Sequence, residues 1–363
     1  MCTSKNQPND RDFTTEELTH YAQKLGIHLP TEEAQQSIFT NTPHPTTGQT
    51  PPAYESSHYN LHNTETGEGT GRRSNTGTNG SARNLVFPPA PEPLPAPVID
   101  NHTHMDLLDG NVNISVRDAL DTGEALGISH VVQVGCDVES SLYSLAVANM
   151  DTRVLSAVAL HPNEAPRLHQ QGKLEESLAI IDRLAQQTRV CAIGETGLDY
   201  FRTDEEGRSP QHESFREHIR IAKKYGKALQ IHDRDAHEDV VRILLEEGAP
   251  ERTVFHCFSG DEHLAKICME QGWYMSFSGT VTFKNSHGIQ KALEIADPSL
   301  ILVETDAPFL TPHPYRGRPN ASYMTNYTVR FMAERRESEL EQFCELLTQN
   351  SHIVYGSWAE RMR

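Results

Sequence analysis

The chain has 363 residues and a formal net charge of −18, so it offers no basic surface of the kind that non-specific nucleic-acid binding uses. The six cysteines stand singly, at neither metal-finger nor redox spacing, which predicts reduced thiols in a cytoplasmic protein. We expect no signal peptide and no membrane span, because no apolar run approaches the roughly 20 residues that a span needs.

Residues 1–97 are predicted to be a largely disordered, low-complexity extension. Thr, Pro, Gly, Asn and Ser dominate residues 40–96, which hold too little apolar surface to offset chain entropy. The stretch "FTTEELTHYAQKLGIHL" is an exception, with a threonine cap and apolar residues at helical spacing. It predicts a short helix, either a docking element or a transient helix in a disordered tail. The segment "PPAPEPLPAP" predicts a stiff, extended linker.

From Val98 onward, apolar runs alternate with amphipathic helical stretches, several of which end at a glycine. Eight runs are typical of buried strands: Val98–Ile99, His130–Val134, Val154–Leu160, Arg189–Ile193, Ala228–Ile231, Thr253–Phe255, Trp273–Phe277 and Leu300–Val303. This alternation predicts a (β/α)8 TIM-type barrel over residues 98–363. A doubly wound open sheet is the alternative, but histidines follow the first strand where such a sheet usually has a glycine-rich loop.

Imidazoles and carboxylates follow five of the predicted strands. In a βα barrel these positions converge on one mouth. Four imidazoles and two carboxylates suit a divalent-metal site, and they exceed what one tetrahedral ion needs. Two ions sharing a carboxylate fit better. The predicted ligands are His102 and His104 after the first strand, Glu195 after the fourth, His232 after the fifth, His256 after the sixth and Asp306 after the eighth.

Two acids and one possible ion pair support this set. Asp100 shares a face with the two histidines and is placed to orient an imidazole, whereas Asp106 could equally cap the next loop. Arg234 shares a face with His232, and Glu304 with Asp306. We therefore expect an Arg234–Glu304 pair inside the barrel, with plain structural support as the alternative role.

Other residues near the mouth are candidates for binding substrate. His161 ends the third strand and could contact substrate or be structural. Lys284, in "FSGTVTFKNS", is the strongest candidate for holding a phosphate, with an ordinary surface lysine as the alternative. Arg316 and Arg318 give the last βα loop a cationic spot that suits an anionic substrate.

The motifs "VIDNHTHMD", "AIGETGLDY", "IHDRDAHED", "HCFSG" and "VETDAPFLTP", in this order, resemble the TatD family of metal-dependent hydrolases over about residues 98–355. The resemblance implies a distorted (β/α)8 barrel with divalent ions and DNase activity of the 3′-to-5′ exonuclease or a related phosphodiesterase type. The family's ligands fall on the six residues already reached from the strand ends. The sequence departs from the family pattern at Asn101, Ala228 and Ala321–Ser322, none of which is a ligand.

The expected function is phosphodiester hydrolysis by a metal-activated water, with single-stranded DNA or DNA 3′ ends as substrate. Two divalent ions (Mg, Mn or Zn) are expected, and Asp306 could also act as general base. No stable protein partner is expected. One ion would lie on His102, His104 and Asp306 and the other on His232 and His256, with Glu195 bridging; His161, Arg234, Lys284 and Arg316 would contact substrate.

Two other functions remain open at this stage. A binuclear amidohydrolase acting on a small amide, lactone or cyclic imide could use the same barrel, but many such enzymes carry a carbamylated lysine where this chain has Glu195. A scaffold role of the extension is the second, and we expect it only as an addition to catalysis. A chain without residues 1–97 is accordingly expected to fold and keep its hydrolytic rate.

Overall fold

The computed structural model describes residues 12–27, 29, 54–55, 76, 81–109 and 112–358. Eight parallel strands, each paired with the next in chain order, form one curved sheet. The strands are β1 Val98–Thr103, β2 Ile128–Val134, β3 Val154–Val158, β4 Val190–Asp199, β5 Ala228–Arg234, β6 Thr253–Phe255, β7 Tyr274–Phe277 and β8 Ile301–Val303. All eight predicted strands lie where the sequence placed them, and the predicted (β/α)8 barrel is confirmed.

The segment that follows β8 closes the barrel against β1. Asn101 Nδ2 donates a hydrogen bond to the Val303 carbonyl at 2.8 Å. The amide of Asp306 donates to the His102 carbonyl at 2.9 Å, and the amide of His104 donates to the Ala307 carbonyl at 2.8 Å. Backbone groups next to three predicted ligands therefore hold the first and last strands together.

Helices cover the outside of the sheet. In the helix Leu174–Leu184, for example, Leu174, Leu178 and Ile181 form a buried apolar stripe on the inner face. Along the chain the helices are α1 Thr15–Lys24, α2 Val116–Ala125, α3 Val138–Met150, α4 Glu164–Gln170, α5 Leu174–Leu184, α6 Glu205–Tyr225, α7 His237–Glu247, α8 Glu262–Gln271, α9 His287–Ile295, α10 Thr325–Arg335 and α11 Leu340–Tyr355.

The predicted short helix in the extension is present as α1, and it docks on the barrel. Thr14 caps it in a reciprocal capping box, and Leu18 and Ala22 are buried. The Arg183 guanidinium lies 4.6 Å from the centre of the Tyr21 ring. Of the two predicted behaviours, the structure shows the docked one.

The proline-rich segment, residues 88–97, lies against the barrel and does not span free space. Leu94 within it and Phe87 just before it are buried. The Tyr323 hydroxyl donates to the Pro88 carbonyl at 2.6 Å, and Asn326 Nδ2 donates to the Glu92 carbonyl at 2.9 Å. Its composition predicted an extended chain but not these contacts. The boundary at residue 97 therefore remains a prediction that deletion would test.

The remainder of the predicted disordered extension mostly lies outside the described residues. Tyr54–Glu55 pairs antiparallel with Val112–Asn113, in the loop after β1. None of the five cysteines in the described part forms a disulfide. Among the described residues, no helix is both long and apolar enough to cross a bilayer.

Candidate metal centre

Two histidines at the end of β1 point their Nε2 atoms at each other. The distance between His102 Nε2 and His104 Nε2 is 3.1 Å. His104 Nδ1 lies 3.0 Å from the Val134 carbonyl, to which a protonated Nδ1 donates, so Nε2 is the nitrogen that faces the cluster. A bulge in β1 between Asp100 and Thr103 sets this arrangement, because bulges change the direction of side chains.

Glu195 lies between two groups of imidazoles. Its Oε2 is 3.6 Å from His102 Nε2 and 3.7 Å from His104 Nε2. Its Oε1 is 2.6 Å from His232 Nδ1 and 2.9 Å from His256 Nε2. The β4 register shifts between Ile193 and Thr196, so Glu195 also lies in a bulge. Each carboxylate oxygen thus faces its own set of nitrogen donors.

Asp306 completes the histidine pair on the Oε2 side. Its Oδ1 is 3.5 Å from His104 Nε2 and 3.9 Å from His102 Nε2. Its backbone has φ 54°, in the left-handed region that aspartate tolerates better than most residues. The structure therefore brings together all six predicted ligands, with His102, His104 and Asp306 forming one compact group. Their division between two ions remains a prediction.

Two carboxylates that the sequence analysis did not assign to this role hold the imidazoles in place. Glu304 Oε1 accepts hydrogen bonds from His256 Nδ1 at 3.0 Å and from the Cys257 amide at 2.7 Å. Asp199 Oδ2 is 3.2 Å from His232 Nε2. Both residues lie within the family motifs "VETDAPFLTP" and "AIGETGLDY", and this position was the one indication in the sequence that they belong to the centre.

The predicted Arg234–Glu304 pair is wrong. Glu304 turns to His256, whereas the Arg234 guanidinium stacks 3.9 Å above the Phe201 ring. The expectation that Asp100 orients an imidazole is also wrong. The bulge breaks the alternation of side chains, and the Asp100 carboxylate accepts hydrogen bonds from the amide and hydroxyl of Thr305.

Three further predicted positions have definite partners. Asp106 Oδ1 accepts from Gln133 Nε2 at 2.7 Å. His161 lines the mouth with its Nε2 3.6 Å from Glu195 Oε1, and so joins the nitrogen donors on that side. The Arg318 guanidinium donates to the carbonyls of Val86 and Phe87 and is not free for substrate, contrary to its predicted role.

One thiol near the centre was missed. Cys136 Sγ lies 3.8 Å from both His104 Nδ1 and Glu195 Oε2. It follows β2, and the sequence analysis assigned no ligand to that strand. Burial raises the pKa of Cys136 to about 12, so the sulfur is a neutral thiol near pH 7.

The carboxylates of the centre are ionised despite their burial. Burial alone would raise the pKa of Glu195, but the surrounding imidazoles, His256 foremost, hold it well below its usual value. The hydrogen bond from His104 likewise keeps the pKa of Asp306 below its ordinary value against the effect of burial. Burial lowers the pKa of His161 to about 3, so that ring is neutral.

Three other imidazoles of the centre behave differently from His161. Against the effect of burial, Asp199 and Glu195 raise the pKa of His232 to about 9, and nearby acidic groups hold the pKa values of His104 and His256 well above their ordinary value. A divalent cation bound here would take the place of the protons on these rings.

These donors fit divalent cations. The two facing nitrogens of His102 and His104 cannot both carry a proton at 3.1 Å, whereas a cation can accept both lone pairs. Imidazole and carboxylate together suit ions such as Zn, Mn or Mg. The cluster opens into a cavity of about 700 Å³ at the mouth of the barrel, large enough for a small ligand.

Comparison with known proteins agrees with this geometry. Residues 99–356 match the family model described as TatD related DNase. The chain is 40% identical over 263 residues to "Uncharacterized metal-dependent hydrolase TatD" of Mycobacterium tuberculosis strain H37Rv, covering 71% of this chain and 98% of that protein.

Two solved structures share the fold. The TatD homologue YjjV of Escherichia coli superposes with a TM-score of 0.65 at 23% identity, covering 72% of this chain and 98% of that one. An uncharacterized amidohydrolase from Saccharomyces cerevisiae gives 0.60 at 13% identity, covering 72% and 100%. Because proteins described as TatD-like and as an amidohydrolase share this barrel, the fold alone does not choose a substrate. The family model, in contrast, matches most of the chain, and this chain belongs to the TatD family of metal-dependent hydrolases.

Proposed function

We propose that the protein hydrolyses phosphodiester bonds in DNA, acting on single strands or 3′ ends with two divalent ions. One observation carries the choice of an anionic substrate. Arg202, Arg234 and Arg316 line the same cavity as the candidate ligands. Within the described part of the chain, none of the three has a carboxylate at ion-pair distance. In a chain of net charge −18, the cavity wall therefore carries three arginines whose charge is not neutralised by a neighbouring acid.

Several arginines and lysines on other parts of the described surface are paired with acids. Arg216 pairs with Glu246 and Glu247, and Lys224 with Asp182. The arginines of the mouth instead pack on rings or remain open, so they keep their capacity to bind phosphate. This arrangement favours an anionic substrate over a neutral amide or imide.

A second cleft beside the mouth supports a substrate longer than one nucleotide. It has a volume of about 360 Å³ and is lined by Phe283, Lys284, Asn285, His287, His313 and Arg316. No carboxylate is among these residues. Arg316 stacks 4.3 Å above the Phe283 ring and belongs to both spaces. We therefore assign Lys284 to a neighbouring phosphate and not to the scissile one.

Divalent ions held by His102, His104 and Asp306 on one side and by His232 and His256 on the other, with Glu195 between them, would polarise the phosphoryl group and lower the pKa of water. The protein's own groups supply the remainder. Asp306 offers an ionised carboxylate that can take a proton from water. Arg316 and Arg234 can hold the non-bridging phosphate oxygens. Glu304 and Asp199 keep two imidazoles oriented through their second nitrogens.

The test uses the full chain, stripped with chelator and then supplied with Mg²⁺, Mn²⁺ or Zn²⁺ in turn. Single-stranded DNA labelled at either end, duplex DNA, RNA and a panel of amides and cyclic imides serve as substrates. We expect nucleotides to be released from the 3′ end of single-stranded DNA. Intact DNA with every ion, together with turnover of an amide, would overturn the proposal.

A matched pair of variants tests the neighbouring cleft. Lys284→Met should raise the KM for an oligonucleotide while leaving hydrolysis of a minimal phosphodiester unchanged. Lys291→Met is the control, because that lysine pairs with Glu294 on the outer surface. Equal behaviour of the two variants would remove Lys284 from the substrate path.

A further inference from the structure

Arg83, in the N-terminal extension, binds two loops of the barrel mouth at once. Its Nη1 and Nη2 each donate to one carboxylate oxygen of Asp109 at 2.6 Å. Its Nε and Nη2 also donate to the Gly317 carbonyl at 3.1 and 2.9 Å. The side chains of Arg83 and Asp109 are only 8% and 2% exposed, so this is an enclosed contact.

Both loops form the rim of the candidate site. Asp109 belongs to the loop that leaves β1 after His104, and this loop contributes Asp106 and Leu107 to the cavity wall. Gly317 lies in the loop after β8, where it lines the cavity next to Arg316. A single guanidinium therefore connects the segment after two ligands with the segment that carries a phosphate-binding candidate.

The extension is also held to the barrel a few residues after Arg83. Arg318, one residue beyond Gly317, donates to the carbonyls of Val86 and Phe87 at 2.8 and 2.6 Å. The Phe87 side chain is 2% exposed. Arg83 thus reaches from the extension to the last loop, and Arg318 reaches from the last loop back to the extension.

We propose that Arg83 is a positioning residue, which fixes the loops after β1 and β8 and thereby holds Arg316 over the mouth. The planar guanidinium suits this role, because it can bind a carboxylate with two nitrogens and still donate to a carbonyl. A lysine offers a single ammonium and cannot reproduce that fork. The extension would then be a structural part of the substrate site, and a chain without residues 1–97 would bind substrate more weakly, in place of the unchanged rate expected from the sequence.

This inference rests on the proposed function only where it concerns phosphate binding by Arg316. The ordering of the two loops is independent of any substrate. Hydrogen exchange over residues 106–109 and 309–320 measures that ordering in the full chain without a reaction. We expect faster exchange in both segments for Arg83→Met, a smaller increase for Arg83→Lys, and no change for the surface control Arg216→Met.

Kinetics on a single-stranded oligonucleotide supply the second measurement. Arg83→Met should raise KM by about tenfold and leave kcat nearly unchanged, because loss of one charge-assisted hydrogen bond from Arg316 to a phosphate costs on the order of tenfold in binding. The double variant with Arg316→Met should be little worse than Arg316→Met alone, since coupled residues are non-additive. Asp109→Asn should reproduce the effect if Arg83→Met fails to fold.

The outcomes separate the two proposals. Unchanged exchange and unchanged KM in Arg83→Met would refute the role of Arg83. An additive double variant would show that Arg83 does not act through Arg316. Faster exchange in both loops of Arg83→Met, combined with no hydrolysis of DNA by the wild-type chain, would support the loop contact and refute the proposed nuclease function.

Discussion

Replacing Glu304 by glutamine is expected to weaken metal binding. The Glu304 side chain is buried, and its Oε1 receives both the His256 ring and the Cys257 amide. The other nitrogen of His256 points to Glu195 Oε1 at 2.9 Å. A carboxylate behind a ligating imidazole fixes its tautomer and raises its basicity. The amide of glutamine keeps the shape of the side chain but removes the charge.

The expected loss of metal affinity is that of removing a carboxylate behind a ligating imidazole. Loss of such a partner typically costs 10–100-fold in metal affinity, which corresponds to about 1.4–2.7 kcal/mol. A second effect falls on folding. Glu304 Oε2 already lacks a hydrogen-bond partner among the described residues in the wild type, so the effect on folding comes from Oε1, whose bonds from His256 and the Cys257 amide weaken when the acceptor is neutral. We expect Glu304→Gln to lower the free energy of unfolding by about 1 kcal/mol, because hydrogen bonds to charged groups contribute more than neutral ones.

Calorimetric titration of the chelator-treated protein with Mn²⁺ or Zn²⁺, well below the variant's Tm, measures the first effect. High metal concentration should restore most of kcat. Glu262→Gln is the matched control, because that carboxylate pairs with Lys266 on the outer face of α8. Wild-type metal affinity in Glu304→Gln would refute the reasoning, since the charge behind His256 would then be without consequence.

Three further predictions follow from the same structure. Glu195→Ala should abolish hydrolysis while its circular dichroism and Tm stay near wild type, because a ligand leaves the mouth and not the core; an active variant would remove its bridging role. Gly197→Ala should distort β5, since a Cβ there would lie 2.1 Å from the His232 carbonyl at φ 141°, and metal titration should show weaker binding. Burial lowers the pKa of His218 to about 4, whereas an unfolded histidine titrates near 6.5. The unfolded chain then binds the extra proton first, so about 3 kcal/mol of stability present above pH 6.5 should be lost as pH falls to about 4. Urea unfolding across that range should show a flatter profile in His218→Gln.

The barrel could be predicted because its sequence pattern is local. Buried parallel strands are short apolar runs, and the helices between them end at glycines such as Gly226, whose φ is 59°. The packing of the proline-rich segment could not be predicted in the same way. Its composition indicates an extended chain, but its partners, such as Tyr323 and Asn326, lie more than 230 residues away. Leu94 and Ala90 within the segment, and Phe87 just before it, are the buried apolar residues that hint at this packing.

The ligand set could also be predicted, because the topology of a parallel barrel brings every strand end to one mouth. The residues behind the ligands were harder. Asp199, Glu304 and Cys136 touch the imidazoles or Glu195, but their sequence positions fit equally well with an ordinary polar strand end. The Arg234–Glu304 pair was predicted wrongly for a related reason. The face of a strand gives the direction in which a side chain leaves the backbone, but it does not give the partner that the side chain contacts.

The regular alternation of side chains along a strand breaks at the candidate centre. On a regular strand, residues two apart have Cα atoms about 6.6 Å apart. His102 and His104 nevertheless bring their Nε2 atoms within 3.1 Å, on a strand with a bulge beside them. Glu195 lies in a second bulge and meets imidazoles from three other strands or their loops. On regular strands these side chains would spread around the rim. The local departures from regular pairing turn them toward one point instead, which is the geometry that a shared cation requires.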